Sequence, residues 1–253
     1  EDVDDGIAES EHVVALGGHE TIRDGGRMAA CGIADRRGQA PPRRRGAVSR
    51  IEVDLAGYDS LTVPIHRAST IRYHDASSFA ARFERDADGY VYGLYGTPTH
   101  RYLEKKLTEL VGGARTALVP SGQAGITCAM LSVVAAGESV LIPDTAYGPV
   151  RDFAKHELAA LGIEAVFYDP IDLKALERLI GPRTRLVWTE SPGSVTLEMQ
   201  DIPAIVSMAH AKGALVGCDN TWASPVNFKP IAHGADIVVE ALLQRRDIVD
   251  RDS

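Results

Sequence analysis

The chain is poor in cysteine. Cys31, Cys128 and Cys218 are its only three, they form no C-x-x-C pair, and one is left over. Neither a disulfide framework nor a zinc site is expected from such a set. Long apolar runs are also missing. The longest, residues 128–136, already contains Ser132 and falls well short of the roughly 20 residues that cross a bilayer. Positive charge is in deficit, with a net charge of −8, so no nucleic acid and no membrane is expected as a partner. The acidic start, residues 1–5, has the wrong sign for a secretory signal, and a cytoplasmic setting is the expectation. No G-x-S-x-G elbow occurs, and His156-Glu157 has no second histidine at the zinc-protease spacing.

What remains is an ordinary globular composition. Of 253 residues, 45% are apolar and 25% charged, enough to bury one large α/β core without staples. Residues 1–60 hold acidic clusters, paired glycines and the run Pro41-Pro42-Arg43-Arg44-Arg45, with no sustained period. They are expected to be irregular.

From about residue 97 a pattern begins. Thr97-Pro98 suits an N-cap and first helical residue, Leu103, Leu107, Leu110 and Val111 share a helical face, and Gly112-Gly113 suits the stop. Apolar strands follow at 116–119, 139–142, 163–168, 185–189, 214–218 and 235–242, alternating with helices, one of them from about Pro149 to near Gly162. Such alternation predicts a mostly parallel sheet covered on both faces. Ligands bind such sheets beyond the carboxyl ends of the strands. Those ends carry Ser121-Gly122-Gln123, Asp144 to Tyr147, Asp169, Glu190 to Gly193, and Asp219 to Trp222.

Single residues in that set are ambiguous. Ser121-Gly122 suits a phosphate at a helix N-terminus, or a plain serine cap. Asp219, leaving a buried strand, suits a cationic ring nitrogen, or an Asp-Asn turn. Tyr147 suits stacking on a planar ring, or half-burial.

In order along the chain, the segments resemble the Cys/Met-metabolism (transsulfuration) family of pyridoxal-phosphate enzymes, fold type I. They are Val63 to Thr70, Tyr92 to Thr99, Pro120-Ser121-Gly122, Asp144 to Pro149, Glu190 to Ser194 and Asp219 to Ala223. The segment Glu190-Ser191-Pro192-Gly193-Ser194 looks like that of cystathionine β-lyases. The resemblance implies a three-layer, aspartate-aminotransferase-like large domain over residues 61–242, incomplete, bearing pyridoxal 5'-phosphate. It implies that Gly122 and Gln123 hold the cofactor phosphate, Tyr147 stacks on its ring and Asp219 pairs with the ring nitrogen. Tyr92 would reach a neighbouring subunit's site in a homodimer or homotetramer. The implied reaction is β-elimination from a cystathionine-like thioether, giving homocysteine, pyruvate and ammonia.

The pattern departs at one place. Where the family carries Thr-Lys, whose lysine links the cofactor, this chain has Leu243-Gln244. Glutamine has no amine to form an imine or act as base. Leu94 stands where many relatives have an arginine. Residues 243–253 are expected to be an aberrant tail, with the C-terminal domain absent and turnover lost. The rival expectations are a non-catalytic cofactor-binding protein or defunct fragment, a γ-lyase or γ-synthase within the family, and a nicotinamide-dependent dehydrogenase.

Overall fold

Alternating apolar residues in short strands dictate the layering. The computed structural model describes residues 63–84 and 89–241, together with the backbone of 12–16. Residues 65 onward and the 12–16 strand form one compact unit, while Val63 and Pro64 belong to a second.

Seven strands make one sheet: β1 (His12–Leu16), β2 (Arg115–Val119), β3 (Ser139–Pro143), β4 (Glu164–Tyr168), β5 (Thr184–Glu190), β6 (Leu215–Asp219) and β7 (Ile237–Ala241). Their order is β2-β1-β7-β6-β5-β3-β4. All pairings are parallel except those of β1, which runs antiparallel to both β2 and β7. The helices between them are α1 (Ala76–Ala80), α2 (Pro98–Val111), α3 (Gly122–Val133), α4 (Gly148–Phe153), α5 (Leu173–Leu179), α6 (Ile202–Ala211) and α7 (Ser224–Asn227).

The period-2 alternation of strand side chains sends neighbouring residues into different cores. Val140, Ile142, Leu186, Trp188, Ile237 and Val239 pack with Ile126 and Met130 of α3 and Val150 of α4. Leu141, Val187, Val216 and Val238 pack on the other face, with Val111 of α2, Leu176 of α5, and Ile202 and Ile205 of α6. The expected three-layer α/β arrangement with a mostly parallel sheet is present. Trp188 is fully buried and lies opposite Gly217 in the register. A Cβ at Gly217 would sit 2.5 Å from the indole, so glycine there makes room for the largest core side chain.

The helix expected after Thr97 is α2, with Thr97 as N-cap, Pro98 first, and Gly112 closing it at φ 80. Two expectations need correction. Residues 1–60 are not irregular throughout, because His12–Leu16 is a strand inside the sheet. Its β-branched run fits a strand, but its partners lie about a hundred residues away or farther in sequence and leave no local periodic trace. The helix expected from Pro149 to about Gly162 is not uniform either: α4 passes into a π-helical turn at Ala154–Leu158. The rest of 1–60, and the tail 243–253 with Gln244, lie outside the described residues apart from β1.

Candidate active site

The carboxyl ends of β2, β3, β5, β6 and β7 share one edge of the sheet, and the candidate residues sit there or in the turns that follow. Beyond β2, Ser121 caps α3, its hydroxyl accepting the Ala124 amide at 3.0 Å. The plain capping role is therefore real, and it leaves the other feature intact. The Gly122 and Gln123 amides take no acceptor among the described residues, and they carry the positive end of the helix dipole. The Gln123 side-chain Oε1 is buried without a partner. Two such amides at a helix N-terminus can hold an anion.

Beyond β3, Tyr147 opens α4. Its backbone N–H donates to Glu190 Oε2 at 2.8 Å, and its ring is half exposed at 49%. Glu190 ends β5 opposite Asp219, which ends β6. The loop after Glu190 folds back on the β3 loop, with the Ser194 amide donating to the Thr145 carbonyl at 3.1 Å. Tyr147, Glu190, Ser194 and Asp219 are thus drawn together by backbone contacts as well as by the sheet.

Glu240 of β7 completes a buried acidic group. Its Oε1 accepts the Asn220 amide at 2.8 Å, and Asp219 Oδ1 accepts the Thr221 N–H at 3.0 Å. Burial is the main force on all three carboxyls. It pushes Glu190 up to about 7, with the Asp219 charge adding to it while the Tyr147 amide and Arg151 oppose it. Glu240 is also raised to about 7, by burial and the Asp219 charge against the Asn220 bond. Asp219 is raised by burial, against two bonds from Thr221. Three carboxyls with Arg151 as a partial counter-charge form a place that would welcome a cation. No group of three or more His, Cys, Asp and Glu placed to hold a metal ion occurs among the described residues.

Tyr92 belongs to a different segment. It precedes the 3₁₀ turn Gly93–Tyr95 and meets Tyr95 edge-to-face at 6.2 Å. No described contact joins it to Gly122, Tyr147 or Asp219. The turn is pinned instead to the segment before it: the Gly93 amide donates to the Ser69 carbonyl at 2.7 Å. A Cβ at Gly93 would lie 1.6 Å from the Ala68 carbonyl oxygen, so only glycine allows the approach. All six lysines, Lys105, Lys106, Lys155, Lys174, Lys212 and Lys229, are exposed.

Glu190 stood among the strand-end candidates without an assigned role, and Glu240 was not among them. Glu190 opened a quoted motif, and its position at a strand end opposite Asp219 was the available signal. Glu240 carried one too, as a charged residue inside an apolar strand.

The sequence pattern of the Cys/Met metabolism PLP-dependent enzymes matches residues 49–243. A protein of Rhizobium johnstonii, provisionally named a cystathionine beta-lyase, is 46% identical over 178 residues, 70% of this chain and 44% of its own. The cystathionine beta-lyase MetC of Escherichia coli is 36% identical, over 70% of this chain and 46% of its own. Among solved structures, a Campylobacter jejuni protein assigned as an O-acetylhomoserine (thiol)-lyase superposes with TM-score 0.68 at 31% identity. That match covers 72% of this chain and 45% of the other, which carries N'-pyridoxyl-lysine-5'-monophosphate. The chain therefore spans about half the length of the curated relatives it matches. The chain belongs to the Cys/Met-metabolism family of pyridoxal-phosphate-dependent enzymes.

Proposed function

We propose that this chain is the cofactor-binding half of a cystathionine β-lyase-like scaffold. On this reading it binds pyridoxal 5'-phosphate reversibly and does not turn substrate over by itself, because Gln244 stands at the lysine position. The observation that carries the proposal is the pairing of an anion-seeking corner at Gly122–Gln123 with a cation-seeking one at Asp219 on a single sheet edge. A phosphorylated pyridine carries both charges. The donor set fits it: two unengaged amides and a helix dipole for the phosphate, the Tyr147 ring for stacking, and Asp219 for the ring nitrogen.

When bound, the cofactor supplies an electron sink for a carbanion next to an amino group. The chain's own residues would bind and orient. Gly122 and Gln123 N–H groups hold the phosphate, and Asp219 keeps a proton on the ring nitrogen. Glu190 fixes the Tyr147 peptide, and with it the ring that covers the site.

In the family the reaction class is carbon–sulfur bond cleavage, and the proposed substrate is a cystathionine-like thioether amino acid yielding homocysteine, pyruvate and ammonia. The exposed Tyr92, Leu94 and Tyr95 support assembly into a homodimer or homotetramer with Tyr92 serving a neighbour. No described helix is long and apolar enough to cross a membrane, in keeping with the proposed cytoplasmic setting. The Campylobacter neighbour favours a second reading, thiol replacement on O-acetylhomoserine. Comparing turnover of the two substrates by a lysine-restored variant separates them.

Titration with pyridoxal phosphate, followed by borohydride reduction, tests the proposal. The chain is expected to bind one equivalent that dialysis removes and borohydride does not fix. The double variant Leu243→Thr, Gln244→Lys is expected to gain a fixed pyridoxyl group. Asp219→Asn is expected to weaken binding at least tenfold without lowering stability, since it removes a buried charge. A borohydride-fixed adduct on the unaltered chain would overturn the reading.

A further inference from the structure

β1 lies at residues 12–16, outside the stretch 49–243 that carries the family pattern, yet it sits in the interior of the sheet. On one side His12 faces Val119 and Leu16 faces Arg115 of β2. On the other, His12 faces Ala241 and Leu16 faces Ile237 of β7. β2 and β7 are not bonded to each other. Each therefore offers a five-residue row of backbone donors and acceptors to whatever strand lies between them, and such rows are costly to leave unpaired inside a protein.

Both walls are also held by elements other than their occupant, β2 by α2 and α3, β7 by α3 and β6. α3 begins just after β2 and packs across β2, β1 and β7 alike, and β7 is bonded to β6 on its far side. Both walls lie within the family-patterned stretch, and the occupant does not. The occupant is chemically simple: His-Val-Val-Ala-Leu, a β-branched pair with no proline or glycine. Backbone ladders give affinity in strand addition whatever chain supplies the strand. The amino end of β1 lies level with Val119 and Ala241, close to the Ser121 cap and to the bond from the Ala241 amide to Thr221. Filling the gap therefore also braces the site edge.

We infer that the gap between β2 and β7 is a strand-acceptor site for an extended apolar five-residue segment running antiparallel to both walls. Residues 12–16 of this chain are its resident occupant, exchangeable with the same segment of a second copy. Exchange of an identical element is a low-cost route to dimers. The resident is favoured by its high effective concentration, so exchange is weak until the resident is displaced.

The test uses the full chain and a fluorescent peptide of residues 10–18, Ser-Glu-His-Val-Val-Ala-Leu-Gly-Gly. Val14 lies between Ala117 and Val239, and proline there removes a ladder donor and cannot sit in a central strand. The Val14→Pro chain is expected to bind one peptide per chain at least tenfold tighter than the unaltered chain does. A peptide bearing the same change is expected not to bind. Equal binding of both peptides, or none by a Val14→Pro chain that keeps its near-UV circular dichroism, overturns the inference. Where that variant does not fold, hydrogen exchange of the unaltered chain decides. Amides of 13–15 are expected to exchange as slowly as those of 238–240. Free-peptide rates at 13–15 beside protected 238–240 overturn it.

Discussion

Two regions of this chain hold themselves together in opposite ways. The inner strands β3, β5, β6 and β7 bury nearly every side chain on both faces. The segment from Ile65 to Tyr95 exposes Ile65, Phe79, Phe83, Tyr92, Leu94 and Tyr95, and its described residues form only short helical turns. Stability in the first comes from many redundant contacts. In the second, placement hangs on a few backbone approaches, of which Gly93 to Ala68–Ser69 is the tightest. The rich motif content of that segment does not serve its own packing. Its exposed aromatic surface suits the proposed assembly, and the sheet is the frame that carries it.

Removing the centre of the frame is expected to have the largest effect. Trp188→Ala should cost about 3–5 kcal/mol, the usual range for emptying a buried aromatic position, read as a lower denaturant midpoint with the slope preserved. Retention of most of the stability would mean that the sheet core carries no more of it than the outer segment does.

The buried carboxyls come next, because they load the frame rather than support it. Folding raises Glu190 and Glu240 from the usual 4.5 to about 7, so between those values the folded chain holds more protons than the unfolded one. Stability should therefore be greatest below about pH 4.5 on this account and fall as pH rises toward 7. The expected size is on the order of 2 kcal/mol for each group. Glu190→Gln should flatten part of that fall in denaturant titrations run from pH 5 to 8. An unchanged pH profile would show that the carboxyls are solvated rather than enclosed.

The smallest global effect is expected in the outer segment. Gly93→Ala must push residues 92–95 away from Ala68, yet it should lower overall stability by less than about 1 kcal/mol, because it empties no core position. Limited proteolysis should show the change instead, as faster cleavage between residues 85 and 95. Global unfolding by Gly93→Ala would erase the contrast between the two regions.

Legibility in the sequence follows the same division. Signals that act within a few residues were readable: the Thr97–Pro98 start and Gly112 stop of α2, the Ser121 cap, the apolar strands, and Asp219 at a strand end. Glu190 was visible as a motif residue, but its bond to the Tyr147 amide joins positions 43 apart and has no local mark. The approach of Gly93 to Ala68 and the insertion of His12–Leu16 between β2 and β7 are likewise long-range choices. They are made by complementary surfaces that exist only once the sheet has formed. The π-helical turn at Ala154–Leu158 breaks a helical pattern without glycine or proline to announce it.

The acidic group at the strand ends also acts as a small proton store. Near pH 7, Glu190 and Glu240 are each close to half-protonated, so a cation arriving beside Asp219 must drive protons out of the site as it settles. Association there would therefore acidify its surroundings. Its measured heat would change with the ionisation enthalpy of the buffer, so that calorimetry in phosphate and in Tris would report the charge rearrangement of the pocket directly.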